Sequence, residues 1–301
     1  MRCPVHLALP PNLARHFRED LARRFPDVDT GTPDIHQEMY DFALRCGPTP
    51  PSGLVVSAYP QLTRNVLDDS RPFAPHRADL PPLRPELVRL GLTPPAPQLV
   101  LVAVVPCILG VSDERAGWLD DWSGLLRPEY PGPLATPPRD TPLPYVAELL
   151  LDSLGGADRP GPPLDTLSTP LDINRRVATG ELAAGLLIPA FARSFRGEGA
   201  RMVWPRSGAL AVPLVACIGS DAPPVAHELL AHLLSRGAQE HLSLNGGVVP
   251  VREDTPGFPE LEESGWRLLW PGWDVALAAA DAMDQRLGAA PTKTPEHQAV
   301  R

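Results

Sequence analysis

The chain has 301 residues, 43% of them hydrophobic and 21% charged, with a net charge of −9. That balance excludes a disordered chain and leaves room for one large domain or two medium ones. The acidic sign, with no basic stripe interleaved with aromatics, argues against nucleic-acid binding.

The 40 prolines fall mostly in short clusters, at residues 48–51, 81–85, 94–97 and 137–144, and read as stiffened connections between elements. The first stretch, "MRCPVHLALPPNLARHFRED", lacks a positive region followed by a long apolar run and a small-residue cleavage site. The expectation is a cytoplasmic chain as written, or a periplasmic or extracellular one if a leader has been removed. Cys3, Cys46, Cys107 and Cys217 have no CxxC spacing and read as reduced thiols.

In chain order, "CPVHLAL" at 3–9 reads as a first strand, followed by an amphipathic helix carrying Leu13, Phe17, Leu21 and Phe25 at i, i+4 spacing. A second helix, "DIHQEMYDFALRCG", stops at Gly47, and "GLVVSAYP" at 53–60 is a short buried strand. Residues 61–98 are polar and proline-rich, with helical pieces such as "RPELVRLGL". The apolar run "LVLVAVVPCILGV" at 99–111 has 13 residues, too few to span a bilayer, and reads as a buried strand. "TPLPYVAELLLDSLGG" is a helix that Thr141 can cap and Gly155-Gly156 end. A helix and an apolar strand follow over 172–195, then two strands around a turn at 205–208, and late helices close the chain. Strands joined by helical crossovers make an α/β layer structure. No internal repeat and no nucleotide-binding glycine loop occurs, and no cofactor is implied.

The stretch "AHELLAHLLSRGAQEH" at 226–241 sets two histidines beside a glutamate. A zinc helix needs His-Glu-x-x-His, which puts both imidazoles on one face. His227 and His232 are five apart, which turns them about 140° from each other on a helix. The geometry makes them incidental residues on a structural helix.

"DDWSGLLRPEYPGPLATP" resembles a segment of the bacterial solute-binding proteins for iron, thiamine and polyamine importers, with Trp122, Leu125, Pro128, Tyr130 and Gly132 in place. "VATGELAAGLLIPAFA" is similar to that family's Gly-Glu-x-Ala run at Gly180, Glu181 and Ala183. "VWPRSGALAVP" matches its return strand at Pro205, Gly208 and Pro213. Leu234, Ser235 and Gln239 fit a late helix, and "LNGGVVPV" follows it as in the family. The resemblance runs from about residue 113 to 251. It implies a two-lobed type 2 periplasmic-binding fold with two hinge crossovers and an interlobe cleft. Lobe 1 would be residues 1–108 plus 212–301 and lobe 2 residues 109–211, with crossovers near 106–111 and 209–214. The lobes would close on a ligand. Transport members are exported, and this N-terminus shows no leader; that departure leaves open a cytoplasmic relative put to another use.

Four loops face such a cleft. Ser57 and Tyr59 follow the strand at 53–60 and could donate hydrogen bonds; the plainer alternative is a capped turn and a packed ring. Arg139 and Thr141 stand before the helix at 142–154, whose N-terminus favours an anion. Arg206 and Ser207 lie on the turn at 205–208, with Arg suited to a carboxylate or phosphate. Phe191 could wall the cleft. Cys3 and His6 are three apart and point to opposite faces of a regular strand. The family's iron binders use adjacent tyrosines; Tyr40, Tyr59, Tyr130 and Tyr145 include no adjacent pair, which argues against ferric iron held that way.

The leading reading is therefore a monomeric small-molecule binder of the ABC-importer class with an anionic ligand among the options, no catalytic residues, no metal site and no membrane insertion. Its partner would be an ABC permease or another protein that senses closure. The alternative is a cytoplasmic enzyme on the same fold, in which His6, Asp140 or Glu181 would supply the acid or base. A ligand sensor is a third reading; architecture alone does not separate them.

Overall fold

The thirteen residues Val100–Ser112 are all buried and form one long strand, β5. β-Branched and other apolar side chains on both faces suit a strand covered on both sides. The computed structural model describes residues 3–7, 11–29, 52–76, 80–156, 159–167, 169–193, 195 and 199–288. The expected second helix at 34–47, with Tyr40 and Cys46, lies outside them.

Ahead of β5 come β1 (Cys3–Leu7), α1 (Pro11–Arg24), β2 (Val28–Asp29), β3 (Leu54–Ser57), α2 (Pro60–Asp68), β4 (Phe73–Ala74) and α3 (Pro85–Arg89). α2 was hidden in the polar stretch 61–98; Pro60 opens it and Leu62 and Val66 bury one face. After β5 follow α4 (Asp113–Ala116), a 3₁₀ turn (Trp122–Leu126), β6 (Leu134–Thr136), α5 (Leu143–Gly155), β7 (Leu164–Thr166) and α6 (Pro170–Ala178). Then come β8 (Ala184–Leu187), α7 (Pro189–Ala192), β9 (Ala200–Val203) and β10 (Ala209–Gly219). The chain continues with α8 (Pro224–Leu233), α9 (Arg236–Gly246), β11 (Val249–Pro250), α10 (Pro259–Glu263), β12 (Leu268–Leu269) and α11 (Trp273–Gly288).

The strand order is β2-β1-β3-β10-β5-β8-β6-β7. β10 lies between β3 and β5, antiparallel to both. β5 changes partners along its length. Val100–Cys107 pair with β10, whereas Ile108–Ser112 pair with β8 on one side and β9 on the other. One strand thus belongs to two sheets, and the chain returns to the first through the turn between β9 and β10. Gly208 sits in that turn at φ +116, and a Cβ there would fall 2.6 Å from the Leu268 carbonyl carbon. Only glycine fits such a position without strain.

Two local expectations need correction. The 226–241 stretch is two helices, because Ser235 interrupts it and accepts a hydrogen bond from the Ala238 N–H as the cap of α9. Thr141 does not cap α5: Pro142 holds the cap position, and the Thr141 hydroxyl donates instead to the Pro138 carbonyl at 2.7 Å. Gly156, at φ 64, ends α5. No helix among the described residues is long and apolar enough to cross a membrane.

Candidate functional site

The place where β5 changes sheets also carries a pocket of about 190 Å³. Its floor is Val105 and Cys107 of β5 with Val212 of β10. Ala58, after β3, closes one side; the other is built by the 137–143 loop and by Leu187, Ile188 and Phe191 around α7. Segments distant in sequence therefore meet here because two sheets share a strand. None of the lining residues is charged. The polar groups are the Thr141 hydroxyl, already spent on its own turn, and the Cys107 thiol, which burial pushes up to about 12 and so keeps neutral. Such a lining can enclose an apolar body but offers no ionised nucleophile.

The residues singled out from sequence are placed as follows. Thr141 and Phe191 line the pocket. Phe191 is oriented from behind, since its carbonyl accepts from the Asn174 Nδ2 at 2.7 Å. Tyr59 stands next to it, on a narrow slot that shares Ala58 and Val212 with the pocket. Its hydroxyl donates to the Asp140 carbonyl at 2.9 Å, tying the β3–α2 junction to the 137–143 loop. Burial, and secondarily Asp140, raise the Tyr59 phenol above its usual range. Ser57 is buried, and its Oγ accepts from the Tyr59 N–H at 3.0 Å, which makes it part of the turn that aims the ring.

Arg139 belongs to the 137–143 loop but not to the pocket lining, and its Nη1 is a buried atom with no hydrogen-bond acceptor. It neighbours Tyr145, whose phenol burial raises while the Arg139 and Arg286 charges pull the other way. Arg206 and Ser207 are not in the pocket lining. Arg206 is 75% exposed and pairs with Asp120 at 2.6 Å, while the Ser207 N–H and hydroxyl both donate to Asp121 Oδ1. Those bonds, with Trp122 Nε1 donating to the Gly208 carbonyl at 2.8 Å, fasten the return turn to the 120–122 segment.

Of the other groups, Cys3 is buried and His6 half-buried on alternating faces of β1, and Glu181 pairs with Arg176 at 3.0 Å on the surface. Tyr130 donates to the Pro133 carbonyl at 3.2 Å. Among the described residues no group of three or more His, Cys, Asp and Glu could hold a metal ion. Sequence reasoning missed the floor, Val105, Cys107 and Val212; their only signal was membership in the two longest apolar runs.

Residues 169–278 match the family described as bacterial extracellular solute-binding protein. The match covers little more than a third of the chain; the whole chain is related to known proteins through its fold. The fold is shared with the apo ferric ion-binding protein A of Pasteurella haemolytica, at 12% identity over 95% of this chain and 96% of that one, with a TM-score of 0.72. Iron-bound HitA from Pseudomonas aeruginosa is similar at 14% identity over 94% and 99%, with a TM-score of 0.70. An ABC transporter structure from Clostridium perfringens is similar at 15% over 96% and 98%, with a TM-score of 0.65. No curated protein matches the chain in sequence. The two-lobed reading taken from the motifs is borne out. The cytoplasmic expectation finds no support, since the matching family is described as extracellular.

Proposed function

We propose that this solute-binding protein closes two lobes on a small organic solute with an apolar body and an anionic end, and hands it to an ABC permease outside the cytoplasm. The observation that carries the reading is the pocket at the sheet junction, walled from both sheets and free of charged side chains. Its volume of about 190 Å³ falls below the roughly 300–1,000 Å³ of drug-sized ligand sites, which limits the solute to a small molecule. Arg139, with a buried donor lacking an acceptor, is the residue suited to a carboxylate at the pocket edge. The change of partners on β5 supports dividing the lobes between Cys107 and Ile108, and near Gly208 on the return, within a few residues of the boundaries expected from sequence.

The iron named for several neighbours belongs to those proteins. Ferric ion wants anionic oxygen donors. Here the Tyr59 and Tyr130 phenols are both raised by burial, and both donate to backbone carbonyls. An organic cargo suits the lining better.

Native mass spectrometry of the purified protein, followed by thermal shift with short branched or aromatic carboxylates and with ferric citrate, tests the reading. A carboxylate should raise the melting temperature, as any ligand of the native state does. A ferric complex with a visible iron–phenolate band, and no response to carboxylates, would overturn it.

A further inference from the structure

The pocket wall at α7 is held by a contact that the solute does not make. Arg193 directly follows α7, and its Nε and Nη2 donate to Oε1 and Oε2 of Glu260 at 2.7 and 2.6 Å. Glu260 lies in α10, which precedes β12, a strand paired with β10 of the first sheet, while α7 directly follows β8 of the second. With the lobe boundaries proposed above, the pair crosses from one lobe to the other. Its side chains are 34% and 18% exposed, and the guanidinium also sits 5.6 Å from the Phe258 ring centroid. Phe258 is fully buried and packs against Trp204 on the return segment.

A second ion pair between lobes, Arg286 with Glu148, is longer at 3.1 Å and more open at 45% and 38% exposure. It joins α11 to α5. α11 is also bonded to α2, through Arg64 with Asp281 and Asp284, and so straddles the junction. Both pairs are two-pronged, the stronger geometry, so exposure decides between them, and the more exposed pair contributes less.

We propose that Arg193 and Glu260 form an interlobe latch that positions the Phe191 wall and biases the protein toward its closed arrangement with no solute bound. The proposal rests on reading the sheet junction as the cleft, but not on which solute fills it. On this proposal the contact is made only in the closed arrangement, and it then shifts the closure equilibrium by its whole differential energy.

Small-angle scattering of the full chain, with no solute added, tests the latch. Glu260→Gln and Arg193→Met should each shift the open-to-closed ratio by about tenfold toward open, seen as a larger radius of gyration. The reversed pair, Arg193→Glu with Glu260→Arg, should return the radius toward that of the unaltered protein. Glu148→Gln should change it far less. A radius unchanged in both single variants overturns the latch, as does an equal effect of Glu148→Gln. Should one single variant fail to fold, the other lobe's variant and the reversed pair still decide. Because no solute enters the measurement, failure here is distinct from failure of the carboxylate assay.

Discussion

The pocket at the sheet junction and a second pocket, under Phe17, differ in nearly every respect. The second is larger, at about 490 Å³, and carries Asp20, Arg24, His232 and His241. All its walls come from α1 and the α8–α9 region. Its charges also answer one another: Asp20 accepts from Arg24 at 2.9 and 3.0 Å and lies 3.3 Å from His232 Nε2. Phe25 and Phe17 meet His232 and His241 edge-on. A cluster of titratable groups that satisfies itself holds α1 against the late helices. The smaller pocket, poor in charge, is the one whose shape changes if the lobes move. Position at a junction, rather than size or charge, is what favours the smaller pocket as the proposed site.

The contrast can be broken by substitution, beginning with the strand that creates it. Leu109 is fully buried on β5 and pairs with both Leu186 and Val203. Leu109→Ala should cost about 2–5 kcal/mol, read from the denaturation midpoint; a loss under ~1 kcal/mol would mean that the shared strand does not unite the sheets. Next in size, Ala58→Phe should lower affinity for the recovered solute at least tenfold while costing only about 1–3 kcal/mol of stability. Undiminished binding would move the site elsewhere.

The latch gives a pH dependence. The Arg193 guanidinium holds the Glu260 carboxyl below its ordinary value. A depressed carboxyl contributes fully above the ordinary glutamate value of about 4.3 and loses that contribution as pH falls through the folded value. The radius difference between unaltered protein and Glu260→Gln should be constant from neutral pH down to about 5, shrink as pH falls below the ordinary glutamate value, and disappear only below the depressed value. A difference that persists in stronger acid would argue that the pair is not the cause. Smaller again, His232→Ala in the second pocket should cost under ~1 kcal/mol and leave solute affinity unchanged. Arg206→Ala should be silent within about 0.5 kcal/mol; a fivefold affinity loss would instead bring the 205–208 turn into the site.

Much of this architecture was legible in the residues. The run 99–111 is apolar on both faces, which only a doubly covered strand tolerates, and Pro205, Gly208 and Pro213 marked the return. Phe191 and Thr141 were reachable because loops at strand ends converge. The rest depends on pairings that no local pattern records. Glu260 lies 67 residues from Arg193, and each alone reads as a solvated charge. Ser57 looked like a ligand donor because its bond to the Tyr59 N–H depends on a turn geometry that the sequence leaves open. The break at Ser235 was masked by helix-forming residues on both sides.

The place of β10 has a bearing on how the chain is made. β3 ends at Ser57 and its neighbour β10 begins at Ala209, about 150 residues later. At roughly 5–20 residues per second, the ribosome delivers β10 about 8–30 s after β3. Until then the edge of β3, and that of β5 once it is made, lacks β10 and is open to pairing with other chains. The strand that later closes the first sheet is thus a timer on synthesis, and the nascent first lobe needs shelter until it arrives.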